Sequence, residues 1–194
     1  MEDLKTIHEI YRAERFIKPG YIVLDLGAQD GSFADWAEDK GAIVFRIDIR
    51  GGNKVLPVAV GKINGIVKID GHGTGAHILY EKDYDPNKDT LIQCITLQRL
   101  LDFIGRVRVI KCDIEGSEYE IFEGTNLEDI TYIVIEFHAW TEPSQPEIPG
   151  LGIRTGEYPK DGFDRLVSWL MKTHDVEIVG DKKAGGYIYA IKKI

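Results

Sequence analysis

The feature that most constrains the fold is a short apolar run that ends in a glycine turn and is followed at once by a helical pattern. Residues 21–26 (YIVLDL) follow a Pro-Gly break and read as a strand buried on both faces of a parallel sheet. The next segment begins at Gly27 and ends at Gly41, and its Ser32 and Asp35 are spaced as in a helix-capping box. The chain therefore contains a strand-turn-helix unit, the building block of α/β folds.

Apolar runs and helical periodicity divide the rest of the chain into further elements. An apolar pattern of helical spacing before Pro19-Gly20 predicts an N-terminal helix within residues 1–18. Predicted strands cover residues 43–47, 55–60, 66–69, 107–112, 132–138, 176–179 and 187–192. Predicted helices cover residues 4–17, 96–104, 115–122 and 163–173. This order is typical of an α/β fold, and the length suits one domain spanning residues 1–194.

The stretch after Asp48 departs from the regular alternation. Only residues 49–54 separate the second strand from the next apolar run, whereas a helical crossover needs about a dozen residues. We therefore expect the helix to be missing, and an apolar patch on that thinly covered flank of the sheet predicts a homodimer contact. Asn64-Gly65, between residues 55–60 and 66–69, predicts a hairpin that joins these two strands.

Two long segments have the composition of loops. Residues 70–88 are polar and glycine-rich, and residues 139–160 hold four of the seven prolines. Loops of such length in a compact domain are usually functional. We expect both to form the pocket for a substrate.

The charge balance limits the partners of the protein. Acidic residues outnumber basic ones by 32 to 24, giving a net charge of −8, and the basic residues form no run, so we expect no nucleic-acid partner. The chain has neither an apolar stretch of membrane-spanning length nor a leader pattern, which predicts a cytoplasmic protein without membrane contact. Cys94 and Cys112 are expected to be reduced thiols of the core.

The turn after the first strand carries the clearest binding signal. Asp25, Gly27, Ala28 and Gly31 form the pattern D-x-G-A-x-x-G, and Asp48 ends the following strand. Glycines let the backbone approach a nucleoside, a helix N-terminus offers unpaired amides, and an acid on the second strand accepts hydrogen bonds from ribose hydroxyls. The spacing differs from G-x-G-x-x-G and favours a nucleoside such as S-adenosylmethionine over a dinucleotide.

Three stretches of the chain resemble the FkbM family of methyltransferases. They are FIKPGYIVLDLGAQDGSFADWA, VLPVAVGKINGIVKI and ITLQRLLDFIGRVRVIKCDIEGSEYEIFEG, and the likeness extends over about residues 16–138. Its most specific part is the K-x-D-x-E-G-x-E segment from Lys111 to Glu118. The resemblance implies a Rossmann-like class I methyltransferase fold, a three-layer α/β sandwich whose seven-stranded, mostly parallel sheet ends in an antiparallel hairpin.

The same resemblance implies S-adenosylmethionine as the cofactor and assigns residues to it. The cofactor-binding residues would be Asp25, Gly27, Ala28, Gln29, Gly31, Ser32, Phe33, Asp48 and Asp113. Two positions depart from the family pattern, because Asp48 stands where glutamate is usual and Gln98 replaces an aspartate. The first departure affects the part of the pocket that would contact the adenine of the cofactor. The second removes one negative charge near the segment before Lys111.

Four side chains near the ends of two strands are candidates for the chemistry. Asp113 and Glu115 follow one strand, and Glu136 and His138 end its neighbour. The carboxyl ends of parallel strands meet at one edge of a sheet, where a base can take the proton of an acceptor hydroxyl during in-line methyl transfer. We expect Asp113, Glu115 and His138 to be catalytic, with His138 or Asp113 as the general base.

A metal is not expected in this group of residues. In an alternative interpretation the same four side chains bind magnesium that orients the acceptor, with His72 and His77 joining from the glycine-rich loop. Lys111 is expected to bury its stem and to pair with one of the acids. A solvated helix face is one interpretation of Glu118 and Glu120, and it is the expected one for Glu120.

The resemblance and the candidate residues together predict an S-adenosylmethionine-dependent O-methyltransferase. Its acceptor would be a hydroxyl of a sugar, a glycan or a small metabolite. One alternative is a nucleotide-dependent oxidoreductase on a similar sheet, which the glycine spacing disfavours. Another is a family member that binds a nucleoside without catalysis, which the short crossover and Gln98 favour.

Overall fold

A mixed seven-stranded sheet forms the centre of the described part of the protein. The computed structural model describes residues 9–70, 76–80, 85, 87–138, 161–182 and 184–194. The strands are β1 (Ile22–Leu26), β2 (Ile43–Ile47), β3 (Val55–Leu56), β4 (Ala59–Val60), β5 (Gly65–Asp70), β6 (His77–Leu79), β7 (Thr90–Ile95), β8 (Val107–Cys112), β9 (Tyr132–Phe137), β10 (His174–Asp181) and β11 (Gly185–Lys192). The helices are α1 (Ser32–Asp39), α2 (Leu97–Ile104), α3 (Glu118–Ile121) and α4 (Gly162–Leu170).

The strand order of the large sheet is β10-β11-β9-β8-β1-β2-β3. β1 pairs in parallel with β2 and β8, β8 pairs in parallel with β9, and β2 pairs in parallel with β3. β11 runs antiparallel to both β9 and β10. The predicted α/β fold, with a mostly parallel sheet that ends in an antiparallel hairpin, is confirmed.

Helices cover both faces of this sheet, as the alternation of side chains along each strand requires. On one face, Val23, Val109 and Val134 belong to the same buried cluster as Phe33 and Trp36 of α1. The other face packs against α2, α3 and α4 through a second cluster, which includes Leu24, Leu26, Ile110, Ile133, Leu97, Leu101, Ile121, Leu166 and Leu170. The predicted three-layer arrangement is therefore present, and burial on both faces explains the mainly apolar sequences of β1 and β8.

The start of α1 differs from the predicted capping box. Gly31, with φ of 86°, occupies the N-cap position, and no side chain caps the helix there. Ser32 is already the first helical residue, and its hydroxyl donates to Asp30 Oδ1 at 2.7 Å. The prediction that Ser32 is the N-cap residue is therefore wrong by one position. Gly31 takes that place because it adopts the left-handed conformation that ends the turn. Gly41 does end the helix, as predicted, with its amide bonded to the Glu38 carbonyl at 2.8 Å.

The predicted strand over residues 55–60 is divided between two sheets. β3 is the edge of the large sheet, and β4 belongs to a four-stranded sheet of order β4-β7-β5-β6. The predicted hairpin is wrong, because β7 lies between β4 and β5 and pairs with both. Asn64 instead accepts a hydrogen bond from the Thr96 amide at 3.0 Å. The expected absence of a helix between Asp48 and β3 is confirmed, since all residues there are described and none is helical.

Several other boundaries differ from prediction. The first described helical turn ends at Tyr11, and Arg12 has a φ of 47°, so the helix predicted over residues 4–17 does not reach its predicted end. The helix predicted over residues 115–122 is only α3, because Glu115 and Gly116 have left-handed backbones. Residues 70–88 contain β6 and are not wholly a loop, whereas the loop predicted over residues 139–160 lies outside the described residues. Among the described helices, none is long and apolar enough to cross a membrane.

Candidate active site

The glycine turn after β1 is held against the residue that follows β8. Gly27 has a φ of 73°, and a β-carbon there would lie 1.6 Å from the carbonyl oxygen of Asp113. Its amide donates to the carbonyl of Ile47 at the end of β2, at 2.8 Å. Three adjacent strands thus converge on one glycine, and no other residue fits at this position.

A buried ion pair supports the turn from below. Asp25 is fully buried, and Lys111 of β8 is 4% exposed. The Lys111 ammonium donates to the Gly27 carbonyl at 2.7 Å and lies 3.3 Å from Asp25 Oδ1. Burial raises the pKa of Asp25, whereas for Lys111 the effect of burial is outweighed by Asp25 and Asp113, which raise its pKa. The predicted pairing of Lys111 with an acid is confirmed, and Asp25 lies beneath the turn.

Two depressions meet at the turn, and Gly27, Gln29 and Asp113 line both of them. The first extends from Asp48 to the small sheet and is lined by Ile49, Val58, Ala59, Val60 and Ile78, with Glu115 on its other side. The second extends toward the N-terminal segment and is lined by Tyr11, Ala28, Asp30, Ser32, Phe33 and Lys111. The structure thus brings most of the predicted cofactor residues to one continuous cleft. The small sheet takes the place of the missing helix as one of its walls.

Asp48 stands at the end of β2 with both carboxylate oxygens engaged. Oδ2 accepts from the Gln29 amide at 3.0 Å, and Oδ1 accepts from the Arg50 amide at 2.8 Å and from Arg50 Nε at 3.1 Å. Burial by itself would raise the pKa of Asp48, but the hydrogen bonds from Arg50 and Gln29 hold it below its ordinary value. Gln29 has a φ of 42°, an uncommon conformation for a residue other than glycine, which directs its amide to Asp48.

An acid–histidine cluster lies beside the turn, at the carboxyl ends of β8 and β9. His138 follows β9, and its Nε2 is 3.3 Å from Glu115 Oε2 and 3.7 Å from Asp113 Oδ1. Its Nδ1 is 2.5 Å from Oε1 of Glu118, the first residue of α3. The hydroxyl of Tyr119 donates to the carbonyl of His138 and so fixes its backbone. The expectation that Asp113, Glu115 and His138 meet at one edge of the sheet is confirmed in its geometry.

The charges of this cluster depend on one another. Burial would lower the pKa of His138, but its hydrogen bond to Glu118 and the charges of Glu115 and Asp113 raise it to about 10. Burial raises the pKa of Glu115 to about 7, against the opposing effect of His138. The imidazole is therefore a cation near neutral pH, and Glu115 can exchange a proton there.

Glu118 is the residue that sequence reasoning missed. Its side chain is 0% exposed, so the interpretation as part of a solvated helix face is wrong for Glu118. The signal that could have found it was its place in the K-x-D-x-E-G-x-E segment, where it is the last acid. The sequence instead suggested Glu136 as the fourth member of the cluster. Glu136 hydrogen-bonds Tyr187 and lies outside the group of potential metal ligands, which consists of Asp113, Glu115 and His138. His72 lies outside the described residues, as does the side chain of His77.

Gln98, the other departure from the family pattern, lies away from the cleft. Its amide group donates to Asp102 at 2.7 Å and accepts from the Asn126 amide at 2.7 Å. Neither partner lines the two depressions, so the substitution changes the surface near α2 and not the cleft.

Known proteins resemble the chain at the level of a family and of structure. A family model described as the methyltransferase FkbM domain matches residues 37–188. A precorrin-6y C5,15-methyltransferase from Geobacter metallireducens GS-15 is 11% identical, with a TM-score of 0.44, over 98% of this chain and 87% of that chain. A SAM dependent methyltransferase from Aquifex aeolicus is 14% identical, with a TM-score of 0.39, over 100% of both chains. No curated protein matches the chain.

The family match begins within α1 and ends within β11, so it spans well over half of the sequence. It includes Asp48 and the acid–histidine cluster, whereas the glycine turn precedes it. The chain belongs to the FkbM methyltransferase family.

Proposed function

We propose that the protein transfers the methyl group of S-adenosylmethionine to a hydroxyl oxygen of a sugar, a glycan or a small metabolite. The observation that carries this proposal is the junction of two depressions at Gly27, with the acid–histidine cluster beside it. One cleft then has room for a nucleoside, for its amino-acid part and for an acceptor. Family membership supports methyl transfer as the reaction.

The cofactor would cross the glycine turn, with its parts in the two depressions. Asp48 would accept hydrogen bonds from ribose hydroxyls, and the apolar side chains of Ile49, Val58 and Ile78 would form the wall against the adenine. The amino-acid part would occupy the second depression, where Asp113 and Asp30 can receive its ammonium group. In this orientation the sulfonium methyl group would lie near Asp113, one of the three residues that line both depressions.

Methyl transfer is an in-line displacement in which the acceptor oxygen attacks the methyl carbon as the bond to sulfur breaks. The hydroxyl proton must leave to a nearby base. His138 is protonated near neutral pH in this cluster, so it favours negative charge on the acceptor instead of removing the proton. Glu115, whose pKa is raised to about 7, and Asp113 are the proton acceptors in our proposal.

Calorimetry with S-adenosylhomocysteine and with NAD tests the cofactor. We expect S-adenosylhomocysteine to give a saturable binding isotherm. NAD should not bind and should give only its heat of dilution. Asp48→Asn should weaken binding by about 10- to 100-fold, since hydrogen bonds to a charged group contribute about 1.5–3 kcal/mol. Asp39→Asn, an exposed acid at the far end of α1, is the matched control and should bind as the wild type does.

Transfer of a labelled methyl group to a panel of hydroxyl compounds tests the reaction. Glu115→Gln should slow turnover while S-adenosylhomocysteine still binds, and Asp113→Asn should slow turnover and also weaken that binding, because Asp113 lines the depression for the amino-acid part. Binding of the cofactor without transfer to any acceptor would favour the non-catalytic alternative. The proposal would be overturned if the protein bound NAD and did not bind S-adenosylhomocysteine.

A further inference from the structure

We infer that Asp113, Glu115 and His138 form a binding site for a divalent cation of the Mn²⁺ or Zn²⁺ class, and that Glu118 orients His138 toward it. This reverses the expectation from sequence that no metal is bound. The inference concerns binding of the ion and can be tested without cofactor or acceptor.

The three side chains present one potential ligand atom each toward a common point. Nε2 of His138 lies 3.3 Å from Glu115 Oε2 and 3.7 Å from Asp113 Oδ1, and all three atoms lie within 4.8 Å of one another. Ligand atoms at about 2.0–2.2 Å from a metal ion are separated by roughly 3–3.5 Å in tetrahedral or octahedral geometry. Small rotations of the two carboxylates are therefore enough to surround an ion.

Glu118 provides independent support for an ion at this point. Its carboxylate is fully buried and is directed at the imidazole, with Oε1 on Nδ1 and with no hydrogen-bond partner for Oε2 among the described residues. A ligating imidazole must be neutral, so the ion would replace the Nε2 proton of His138, on the side of the ring where Asp113 and Glu115 lie, while Nδ1 keeps its hydrogen bond to Glu118. Metal-binding histidines are commonly oriented in this way by a carboxylate behind the ring.

The charges around the cluster also favour a cation. Three carboxylates surround one imidazole, whereas the nearby ammonium group of Lys111, 3.7 Å from Asp113 Oδ2, is shared with the buried Asp25. Buried carboxylates are costly unless positive charge compensates them. A divalent ion supplies that charge without a further side chain.

The exposure of the three side chains leaves room for further ligands. They are 12–20% exposed, and Asp113 and Glu115 line the first depression, whereas Glu118 is 0% exposed. An ion held by three protein ligands with open positions can take up water or an acceptor oxygen. Mixed imidazole and carboxylate ligands suit Mn²⁺ and Zn²⁺ better than Ca²⁺, which prefers oxygen alone.

Titration of the chelator-treated full chain with Mn²⁺, followed by calorimetry and electron paramagnetic resonance, tests the site. We expect one saturable Mn²⁺ site per chain. Glu115→Gln and His138→Ala should weaken binding at least 100-fold, and Glu118→Gln should weaken it by about 10- to 100-fold, as is usual for residues behind a metal ligand. Glu120→Gln is the matched control, because Glu120 pairs with Lys62 and not with His138.

Circular dichroism of each variant identifies loss of folding, and Asp113→Asn serves as a further variant if Glu118→Gln does not fold. Absence of saturable binding of both Mn²⁺ and Zn²⁺ to the wild type would overturn the inference, as would equal affinity in Glu115→Gln and the wild type. Binding of S-adenosylhomocysteine in excess chelator separates this outcome from failure of the proposed function.

Discussion

The α-carbon of Gly27 packs so closely against Asp113 that a β-carbon would lie 1.6 Å from the Asp113 carbonyl oxygen. The turn after β1 and the residue that follows β8 therefore form one rigid contact beneath the cleft. Because Asp113 also belongs to the acid–histidine cluster, the position of that cluster depends on the turn.

Replacement of Gly27 by alanine should abolish binding of S-adenosylhomocysteine and destabilise the fold. Gly20→Ala is a matched control, because Gly20 has a similar φ of 77° but no atom of the described residues within 4 Å of the position that a β-carbon would take. The control should cost about 1–2 kcal/mol for the left-handed backbone alone. Urea unfolding measures both variants, and equal losses of stability would contradict the contact with Asp113.

Removal of the Lys111 ammonium should destabilise the fold, because Asp25 would then be buried without a positively charged partner. We expect Lys111→Met to lower the free energy of unfolding by about 3–5 kcal/mol, because it leaves a buried carboxylate unpaired. The double variant Asp25→Asn/Lys111→Met should recover part of that loss. Denaturation of the single and double variants measures the coupling, and additive losses would show that the two side chains do not stabilise each other.

Stability should fall as the pH rises across the range in which the acid–histidine cluster loses protons. The pKa of His138 rises from 6.5 in the unfolded chain to about 10, so its contribution is complete below pH 6.5 and is lost as the pH passes about 10. The pKa of Glu115 rises from 4.5 to about 7, which adds a further loss of stability between these values.

Urea unfolding of chelator-treated wild type and His138→Gln between pH 6 and pH 10 tests this dependence. The wild type should lose stability more steeply than the variant above pH 6.5. Parallel curves for the two proteins would contradict the role given to His138.

Removal of Arg50 should strengthen cofactor binding. In the structure its guanidinium donates hydrogen bonds to both carboxylate oxygens of Asp48, from Nε to Oδ1 at 3.1 Å and from Nη2 to Oδ2 at 3.3 Å. Ribose hydroxyls must share or displace these contacts, and a partly exposed ion pair is worth up to about 1 kcal/mol. We expect Arg50→Ala to bind S-adenosylhomocysteine several-fold more tightly in calorimetry. Weaker binding would instead show that Arg50 contacts the ligand.

The homodimer expected from sequence stays a prediction. On β2 and β3, Ile43 is 54% exposed, Phe45 36% and Leu56 51%, at the flank where the helix is missing. Sedimentation of the wild type and of Phe45→Glu over a range of concentrations tests the contact. We expect the variant to shift toward the monomer, and a monomeric wild type at the highest concentration would contradict the prediction.

The strands β1, β2 and β8 could be predicted from sequence because each is a short and mainly apolar run. Residues 43–47 and 107–112 have the bounds of β2 and β8, and β1 begins one residue later than predicted. Strands at the centre of a parallel sheet are apolar at nearly every position, so their pattern depends little on distant contacts.

The small sheet and the role of Glu118 could not be predicted in the same way. β7 alternates weakly, with only Cys94 fully buried, and its two partners are fixed by distant pairing. Glu118 looks like a surface acid until Glu115 and Gly116 turn the chain and bring α3 against His138. Both features depend on contacts between segments that are distant in sequence, and a local sequence pattern does not predict such contacts.

The division of residues 55–60 between two sheets makes Pro57 and Val58 a joint. Val58 at this joint, with Ala59 and Val60 beyond it, lines the depression next to Asp48. Proline fixes its own φ and has no amide hydrogen to donate, which keeps the bend stiff without a ladder contact. A substitution at Pro57 would therefore displace the wall that these three residues form, although Pro57 itself does not line the depression.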